Sequence, residues 1–429
     1  MKRLLTSIPI RRHTRCLATE ATSTSGVAPS LRPDLDFDFL LEKANSEKIR
    51  QNIRERKGVG DIDALHEKWA TIQKMINGQE KPEEMTEEKY EQLWNELYEE
   101  ALNIPNMSKG DVPRGGPDRA KIIAEWGEKK ETKCPIAEKL VQSWRLLLHP
   151  TEASGERSYV LMGGLESLEK ALLDYAYRRC VVLGFKPVTV PDIVAGDVTA
   201  ACGVSQRTQQ EIQYSLTDDH SAKLSGTAEM GIAAFMRGRT FKQEQLPVRV
   251  VALSRCFRPE ISKAASEAKL YRVHEFTKVE MFSICAPEQS EEELKFLADI
   301  QKGTFESLGL HCRQLLMPSE ELGSSAAKKI DIEAWMPGRQ LFGEVSSASN
   351  CTDFQSRRLG IKYKTSEGET RHVHTCNGTA LASTRSMIAV LETFQNEKKK
   401  LDELPDVLKN NLRPERSAPL RFQSAKSLV

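Results

Sequence analysis

Hydrophobic residues recur every three or four positions through the first third of the chain, a spacing that predicts amphipathic helices. Ile49 and Ile53 mark the first of these helices. The apolar stripe of the second helix is Ile62, Leu65, Trp69, Ile72 and Ile76. The stripe of the third helix is Tyr90, Leu93, Trp94, Leu97 and Ala101. The last two helices are predicted to form an antiparallel hairpin, and the pattern leaves open whether it packs on the body or projects as an exposed arm.

The pattern changes after a proline-containing linker at residues 104–113, beyond which short apolar runs alternate with longer helical stripes. Helices are predicted at 165–184 and 384–401. Strands are predicted at 188–193, 248–253, 271–284, 330–335, 341–345, 361–364 and 371–376. Because these strands are arranged as hairpins with few strand–helix–strand alternations, we expect an α+β fold, with an antiparallel β-sheet and helices around it.

Composition narrows the classes of protein that fit this pattern. With 429 residues, the chain is long enough for two or three domains. The net charge of +1 excludes a uniformly basic nucleic-acid binder, so any contact to nucleic acid must be local. No run of eighteen apolar residues is present, and we therefore expect no membrane partner. The nine cysteines have no CxxC spacing, which argues against a disulfide scaffold or a zinc site and suits a reducing compartment.

The first thirty residues are rich in Arg, Ser and Thr, and their first acidic residue is Glu20. This composition predicts a mitochondrial transit peptide at 1–30 and therefore a location in the mitochondrial matrix, with a disordered basic tail as the alternative. The other predicted divisions are a helical arm at 31–113, a main domain at 114–404 and a basic C-terminal tail at 405–429.

Charged residues embedded in strand-like sequence are the strongest indication of a functional site, because buried strands seldom carry charge. Arg258 and Glu260 follow directly after the apolar strand at 248–253, and Arg385 opens the last predicted helix, where the helix dipole disfavours a cation. An ordinary surface hairpin with cross-strand ion pairs is the alternative for the first segment. GxGxxG and GxxxxGK[ST] are both absent, so Rossmann and P-loop nucleotide sites are not supported.

Together these segments resemble motifs two and three of the class II aminoacyl-tRNA synthetases, and residues 165–193 resemble motif one. Within that class the sequence is similar to the seryl-tRNA synthetase family. Gly226-Thr227-Ala228-Glu229 resembles the amino-acid loop of that family, residues 342–355 its ATP and metal loop, and residues 104–113 its linker after the arm. The segments occur in the order that the family has, and they look most like its animal mitochondrial branch.

The resemblance implies a homodimeric enzyme that activates L-serine with ATP and transfers the seryl group to the 3′ end of mitochondrial tRNA(Ser). Arg258 and Arg385 would be its catalytic residues, acting on the phosphates. The ATP site would comprise Arg258, Pro259, Glu260, Val273, Phe276, Glu344, Val345, Ser346, Ser347 and Arg385. The serine site would comprise Thr227, Ala228, Glu229, Glu280, Asn377 and Thr379. Mg²⁺ would be bound by Glu344 and Ser347, and the tRNA by arm residues such as Arg50, Arg54 and Lys68 or Lys74.

Two alternatives belong to other classes of protein. A non-catalytic paralogue would keep the fold and act as a mitochondrial binding or regulatory protein, but we expect such a protein to lose its ATP and serine residues first. Here Arg258, Glu280 and Arg385 are all present. An RNA-binding helical scaffold without catalysis would leave the polar strand residues unexplained.

Overall fold

The computed structural model describes residues 32–77, 87–204, 213–260, 269–396 and 404–409. The predicted transit peptide at 1–30 and most of the predicted tail at 405–429 lie outside these residues. The first six helices are α1 (Phe37–Leu41), α2 (Ser46–Glu55), α3 (Ile62–Ile76), α4 (Glu87–Asn103), α5 (Ala137–Ser143) and α6 (Thr151–Ser154). They are followed by α7 (Gly164–Val182), α8 (Gly196–Ala201), α9 (Ala228–Met236), α10 (Ser290–Ser307), α11 (Phe354–Leu359), α12 (Ser383–Phe394) and α13 (Asp406–Lys409).

Helices α3 and α4 confirm the predicted antiparallel hairpin. The Asp61 carboxylate caps α3 by accepting hydrogen bonds from two backbone amides of its first turn, which satisfies donors that have no partner within the helix. The Trp69 and Trp94 rings meet at 5.9 Å between centroids, and Lys68 pairs with Glu96 at 3.2 Å. The two apolar stripes therefore face each other and form a small core of their own with α1 and α2.

The base of this helical region is packed on the body through buried polar contacts. Arg56, at the end of α2, is buried and donates to the carbonyls of Asn106 and Ala326 at 2.7 and 2.8 Å. The Asn106 amide donates in turn to the carbonyls of Ser325 and Cys351, each at 2.8 Å. Burial lowers the pKa of Arg56 to about 10, because only neutral carbonyls solvate the guanidinium.

The body is built around a large mixed β-sheet. Its early strands are β1 (Lys121–Trp126), β2 (Leu147–Leu148), β3 (Val160–Leu161), β4 (Lys186–Val188), β5 (Ile193–Ala195), β6 (Ala222–Leu224), β7 (Thr240–Lys242) and β8 (Val248–Phe257). The later ones are β9 (Glu275–Cys285), β10 (Cys312–Leu316), β11 (Lys328–Met336), β12 (Leu341–Thr352), β13 (Lys362–Lys364), β14 (Thr370–His372) and β15 (His374–Ala382). The large sheet has the order β1-β10-β11-β12-β15-β9-β8-β4, antiparallel except for the β4–β8 pair at one edge.

The α+β prediction is confirmed, while several element boundaries differ from those predicted. The strand predicted at 188–193 is two short strands, β4 and β5, because Pro191 lies between them and cannot donate to a ladder. Strands β8 and β12 extend well beyond the predicted ends at 253 and 345. The last predicted helix, α12, ends at Phe394 rather than at 401, and residues 397–403 lie outside the described ranges. The start of the predicted tail is the short helix α13, whose Leu408 is buried.

The two faces of the large sheet have different roles. Along β9, Val279 and Met281 point into the main core beneath α7, α10 and α12. Phe276, Lys278 and Glu280 alternate with them and therefore point to the opposite face. That face is open at the end of the strand, which is where the charged residues collect.

A buried ion cluster anchors α12 to the body. The Arg339 guanidinium donates to the Glu138 carboxylate at 2.6 Å and to the Glu392 carboxylate at 2.7 Å. Glu392 also accepts from the backbone amide of Gly338 at 2.8 Å and from that of Ala137 at 3.0 Å. Both glutamate side chains are completely buried, so each depends on Arg339 for charge compensation.

Candidate active site

Arg258 is placed by the end of strand β8. The Phe257 amide donates to the Ser225 carbonyl at 2.9 Å, and the Arg258 amide donates to the His274 carbonyl at 2.8 Å, which fixes the backbone on both sides. The Arg258 guanidinium lies 5.2 Å from the centre of the Phe276 ring. Strand β9 and its neighbour β8 therefore present a cation and an aromatic face side by side, as the sequence predicts.

Arg385 reaches the same place from the first turn of α12. Its Nη1 donates to the Glu344 carbonyl at 3.1 Å and lies 3.4 Å from the Glu344 carboxylate. The guanidinium also lies 4.7 Å from the centre of the Tyr271 ring. A cation in a first turn is disfavoured by the helix dipole, so these contacts from β12 and from the segment before β9 compensate for its position.

Glu344 is the acid at the centre of this arrangement. It lies deep in the fold, yet 44% of its side chain is exposed to the cavity. Desolvation opposes its ionisation, but the charges of Arg385 and Lys329, with Arg258 further off, outweigh that effect and hold the pKa of Glu344 below its usual value. The group is therefore a carboxylate at neutral pH.

One cavity brings together nine of the ten residues that the sequence predicts for ATP. Its lining is Arg258, Glu260, Tyr271, Arg272, Val273, Phe276, Lys278, Glu344, Val345, Ser346, Ser347, Thr379, Ala382, Thr384 and Arg385. Pro259 does not line it and instead forms part of the backbone between Arg258 and Glu260. Four cationic side chains at one cavity make it suited to a polyanion.

The residues predicted for serine lie beside this cavity, and three of them meet at Lys278. Lys278 Nζ lies 2.8 Å from Thr227 Oγ1, 3.1 Å from Thr379 Oγ1 and 2.5 Å from the Glu280 carboxylate. Thr379 Oγ1 also donates to Glu280 Oε2 at 3.2 Å. The pairing of Thr379 with Glu280 across β15 and β9 explains why residues distant in sequence are neighbours here.

Glu229 lies at the start of α9, one residue after the buried Ala228. The Gln355 amide donates to its carboxylate at 2.5 Å, and the Gln355 oxygen accepts from Thr375 Oγ1 at 2.7 Å. Burial, reinforced by the negative charge of Glu280, raises the pKa of Glu229 to about 7. Its charge therefore changes within the physiological range of pH.

Asn377, the last residue predicted for serine, lies apart from the others. It shares a strand with Thr379, but its Oδ1 accepts a hydrogen bond from the Cys351 thiol at 3.6 Å and it does not line the cavity. Its side chain is occupied within the fold.

Sequence reasoning missed three residues of the site. Lys278 was not assigned, although a lysine two positions from Glu280 in an apolar strand is a detectable signal. Arg272 donates to the Glu260 carboxylate at 3.3 Å, and Tyr271 lies between the guanidinium groups of Arg385 and Arg339. The contacts of Tyr271 could not be predicted, because Arg339 and Arg385 come from distant segments.

The oxygen donors at the cavity fit a magnesium ion that is shared with a polyphosphate. Within the described ranges, no cluster of three or more His, Cys, Asp or Glu side chains is placed to hold a metal ion. Glu344 and Ser347 supply two oxygens at the cavity wall. Mg²⁺ commonly takes one or two protein oxygens and completes its octahedron with phosphate and water, so this donor set suits it.

The fold and the site together define a class II aminoacyl-tRNA synthetase core. Residues 214–394 match the family described as the tRNA synthetase class II core domain (G, H, P, S and T). The serine–tRNA ligase of Treponema denticola is 34% identical over an alignment of 402 residues that covers 84% of this chain and 94% of that protein. The chain belongs to the seryl-tRNA synthetase family.

Further relatives agree with this membership. The mitochondrial serine–tRNA ligase of Bos taurus is 41% identical over an alignment of 318 residues that covers 71% of this chain but only 61% of the bovine protein. The structure of seryl-tRNA synthetase from Pyrococcus horikoshii complexed with ATP has a TM-score of 0.72 at 30% identity, covering 86% of this chain and 87% of that one. The cytoplasmic serine–tRNA ligase of Naegleria fowleri in complex with AMP has a TM-score of 0.76 at 27% identity, covering 88% and 97%.

Among the helices that the structure describes, none has both the length and the apolar composition needed to cross a membrane.

Proposed function

We propose that this chain is a serine–tRNA ligase that activates L-serine with ATP and transfers the seryl group to the 3′ end of mitochondrial tRNA(Ser). The observation that carries the proposal is a cationic cavity, with Arg258 and Arg385, directly beside the acceptors Thr227, Glu280 and Thr379. A polyanion and a small ammonium-bearing substrate can thus be held next to each other. The non-catalytic paralogue is disfavoured, because both halves of this site are intact.

The first reaction joins two anions. The serine carboxylate attacks the α-phosphorus of ATP, the bond to the β-phosphate oxygen breaks, and pyrophosphate leaves. A carboxylate needs no general base, so the residues act by fixed charge and by orientation. Arg258 would hold the α-phosphate and Arg385 the γ-phosphate, with the planar fork of each guanidinium matching two phosphate oxygens. In the second reaction the tRNA 3′-terminal hydroxyl attacks the seryl carbonyl, and AMP leaves.

The remaining residues select the two substrates. Glu260 would accept from the adenine amino group, the Val273 backbone would contact the base, and Phe276 would stack on it. Thr227, Glu229, Glu280 and Thr379 would bind the serine ammonium and hydroxyl. When bound by Glu344, Ser347 and the phosphates, Mg²⁺ would neutralise charge on the pyrophosphate leaving group.

The proposal is tested by ATP–pyrophosphate exchange with the full chain. We expect exchange with L-serine and not with alanine or threonine. Alanine leaves the buried acceptors of the hydroxyl unpaired, and threonine adds a methyl group. A folded protein that gives no exchange with any amino acid would instead be the paralogue.

Serine use should depend on pH through Glu229. Its carboxylate is needed in the ionised form to attract an ammonium, and the buried group has a pKa of about 7. The KM for serine should therefore fall by about tenfold between pH 6 and pH 8, as the ionised fraction rises. Glu229→Gln should raise KM and flatten this profile, which pyrophosphate exchange at several pH values would measure. A wild-type profile with constant KM would contradict this assignment.

The raised pKa of Glu229 also lowers the free energy of unfolding as pH rises from about 4.5 to 7, because the folded state then holds a proton that the unfolded state has released.

We also propose that the chain forms a homodimer through an apolar surface at the end of α7. Val181, Val182 and Leu183 are exposed there, Val182 by 85%. A second copy would remove these side chains from water, which is the usual reason for an apolar patch on a folded protein.

Val182→Asp should convert the dimer to a monomer, because dimerisation would bury an unpaired charge. Light scattering after size-exclusion chromatography would measure the mass. Ile76→Asp, at an exposed apolar position in α3, is the matched control and should leave the mass unchanged. A wild-type protein that is monomeric at micromolar concentration would refute the dimer.

The chain's cellular location and its tRNA contacts are proposed by similarity and by position. Relatives named as mitochondrial, including that of Saccharomyces cerevisiae at 35% identity, support a mitochondrial location, and we propose the matrix. We keep the predicted divisions at 31–113 and 114–404 as the arm and the catalytic domain. Arg50 and Lys68 on the arm are already paired with Asp63 and Glu96, so binding of tRNA phosphates there would have to displace carboxylates.

A further inference from the structure

Lys278 is a buried cation in the part of the site proposed for serine. Only 5% of the residue is exposed, and its ammonium lies within 3.1 Å of acceptors on Thr227, Glu280 and Thr379. A buried ammonium persists only where its donors and its charge are satisfied, and these three acceptors supply one carboxylate and two hydroxyl groups. A cation of the chain itself therefore lies at the position proposed for the serine ammonium.

The substrate's own ammonium would need the same partners. The α-ammonium of serine and the lysine ammonium each carry one positive charge and three N–H donors. Thr227, Glu280 and Thr379 are the residues proposed to receive serine, so both cations cannot occupy this position. One of them must be elsewhere when serine is bound.

Lys278 has a second place to go. Its side chain also lines the cationic cavity described above, together with Arg258 and Arg385. We call this the phosphate cavity, because it is the proposed site of the ATP phosphates. Its four-carbon stem is flexible, so the ammonium can swing from the floor of the serine site into that cavity while the backbone of β9 stays in place. In the cavity it would meet the phosphates and the serine carboxylate, where positive charge lowers the barrier to the reaction.

We propose that Lys278 occupies the serine-ammonium position until serine binds and is then displaced into the phosphate cavity, where it becomes a ligand of the reacting anions. This inference rests on the proposed function of the site. It makes Lys278 a residue that couples the two substrates, because nucleotide draws the lysine away from the acceptors that serine needs. By thermodynamic linkage, serine must tighten nucleotide binding by the same factor.

Isothermal titration of the wild-type protein tests the coupling directly. Serine is titrated with and without Mg²⁺ and α,β-methylene-ATP, which cannot release pyrophosphate. We expect the nucleotide analogue to tighten serine binding by on the order of tenfold, within the range usual for coupled sites. Equal dissociation constants in the two titrations would overturn the proposal, whatever any variant does.

Lys278→Met separates displacement from simple structural support. With the lysine removed, Glu280 lacks its cation and the incoming ammonium of serine can replace it, so serine should bind the free protein as tightly as wild type or more tightly. Coupling to the analogue should fall below about twofold, and the rate of pyrophosphate exchange at saturating substrates should fall at least tenfold. Serine binding that is weakened tenfold with the coupling intact would make Lys278 a structural residue and overturn the proposal.

The matched control is Lys295→Met, which removes an exposed lysine of α10 that pairs with Asp299. It should leave serine binding, coupling and exchange unchanged. If Lys278→Met does not fold, the wild-type titrations still decide the question. A wild-type protein that shows no serine-dependent exchange refutes the proposed function, whereas exchange without coupling refutes only the role of Lys278.

Discussion

Arg385→Ala should reduce serine-dependent ATP–pyrophosphate exchange by about a thousandfold or more. The guanidinium is held in the cavity by the Glu344 carbonyl and by the Tyr271 ring. It is therefore preorganised to meet a phosphate without further rearrangement. Removing it also leaves Glu344 without its main counter-charge, so the pKa of Glu344 should rise and its hold on a metal ion should weaken.

The design of this experiment separates catalysis from folding. Arg385→Lys keeps the charge but loses the planar fork, and it should recover only part of the rate. Arg371→Ala removes an exposed arginine of β14 that pairs with Glu369, and it should exchange at the wild-type rate. Full activity in folded Arg385→Ala protein would show that the nucleotide binds elsewhere.

Arg339→Met should lower the free energy of unfolding by about 3–5 kcal/mol, because it leaves two buried glutamates without a counter-charge. Glu392 would then be driven to take up a proton, since burial already raises its pKa. Urea unfolding followed by circular dichroism measures the change. A midpoint that does not move would mean that the cluster adds nothing to stability.

Two controls define this effect. Arg371→Met removes an exposed arginine and should change stability by less than about 0.5 kcal/mol. The triple variant Arg339→Met, Glu138→Leu and Glu392→Leu removes all three charges and should regain part of the loss, because no unpaired charge remains. If the triple variant is as unstable as the single one, the loss of stability arises from packing and from the hydrogen bonds that backbone amides donate to Glu392.

The parts of the fold that could be predicted from the sequence are those with local causes. Helix α3 spans the predicted apolar stripe from Ile62 to Ile76, because its apolar spacing and its Asp61 cap lie within one segment. Strand β12 was predicted too short, because the polar run after Val345 has no alternating pattern. It remains a strand to Thr352 because β11 pairs with it on one side and β15 on the other.

The same distinction holds for the site. Arg258, Glu344 and Arg385 could be predicted because a charged residue in a strand or in the first turn of a helix is recognisable from the sequence alone. The environment of Lys278 could not, because its acceptors come from α9, β9 and β15. The ion cluster at Arg339 was missed for the same reason, since Glu138 is far from it in sequence.

Helix α12 carries Arg385, the proposed phosphate ligand, in its first turn and the buried anchor Glu392 two turns later. Inherited missense changes in this short helix should therefore fall into two groups in cells. Those near residue 385 would leave normal amounts of an inactive protein, whereas those at 392, or at its partners 138 and 339, would lower steady-state abundance through proteolysis. Immunoblots beside activity measured per molecule would separate the groups, and only the second would respond to stabilising ligands or lower growth temperature.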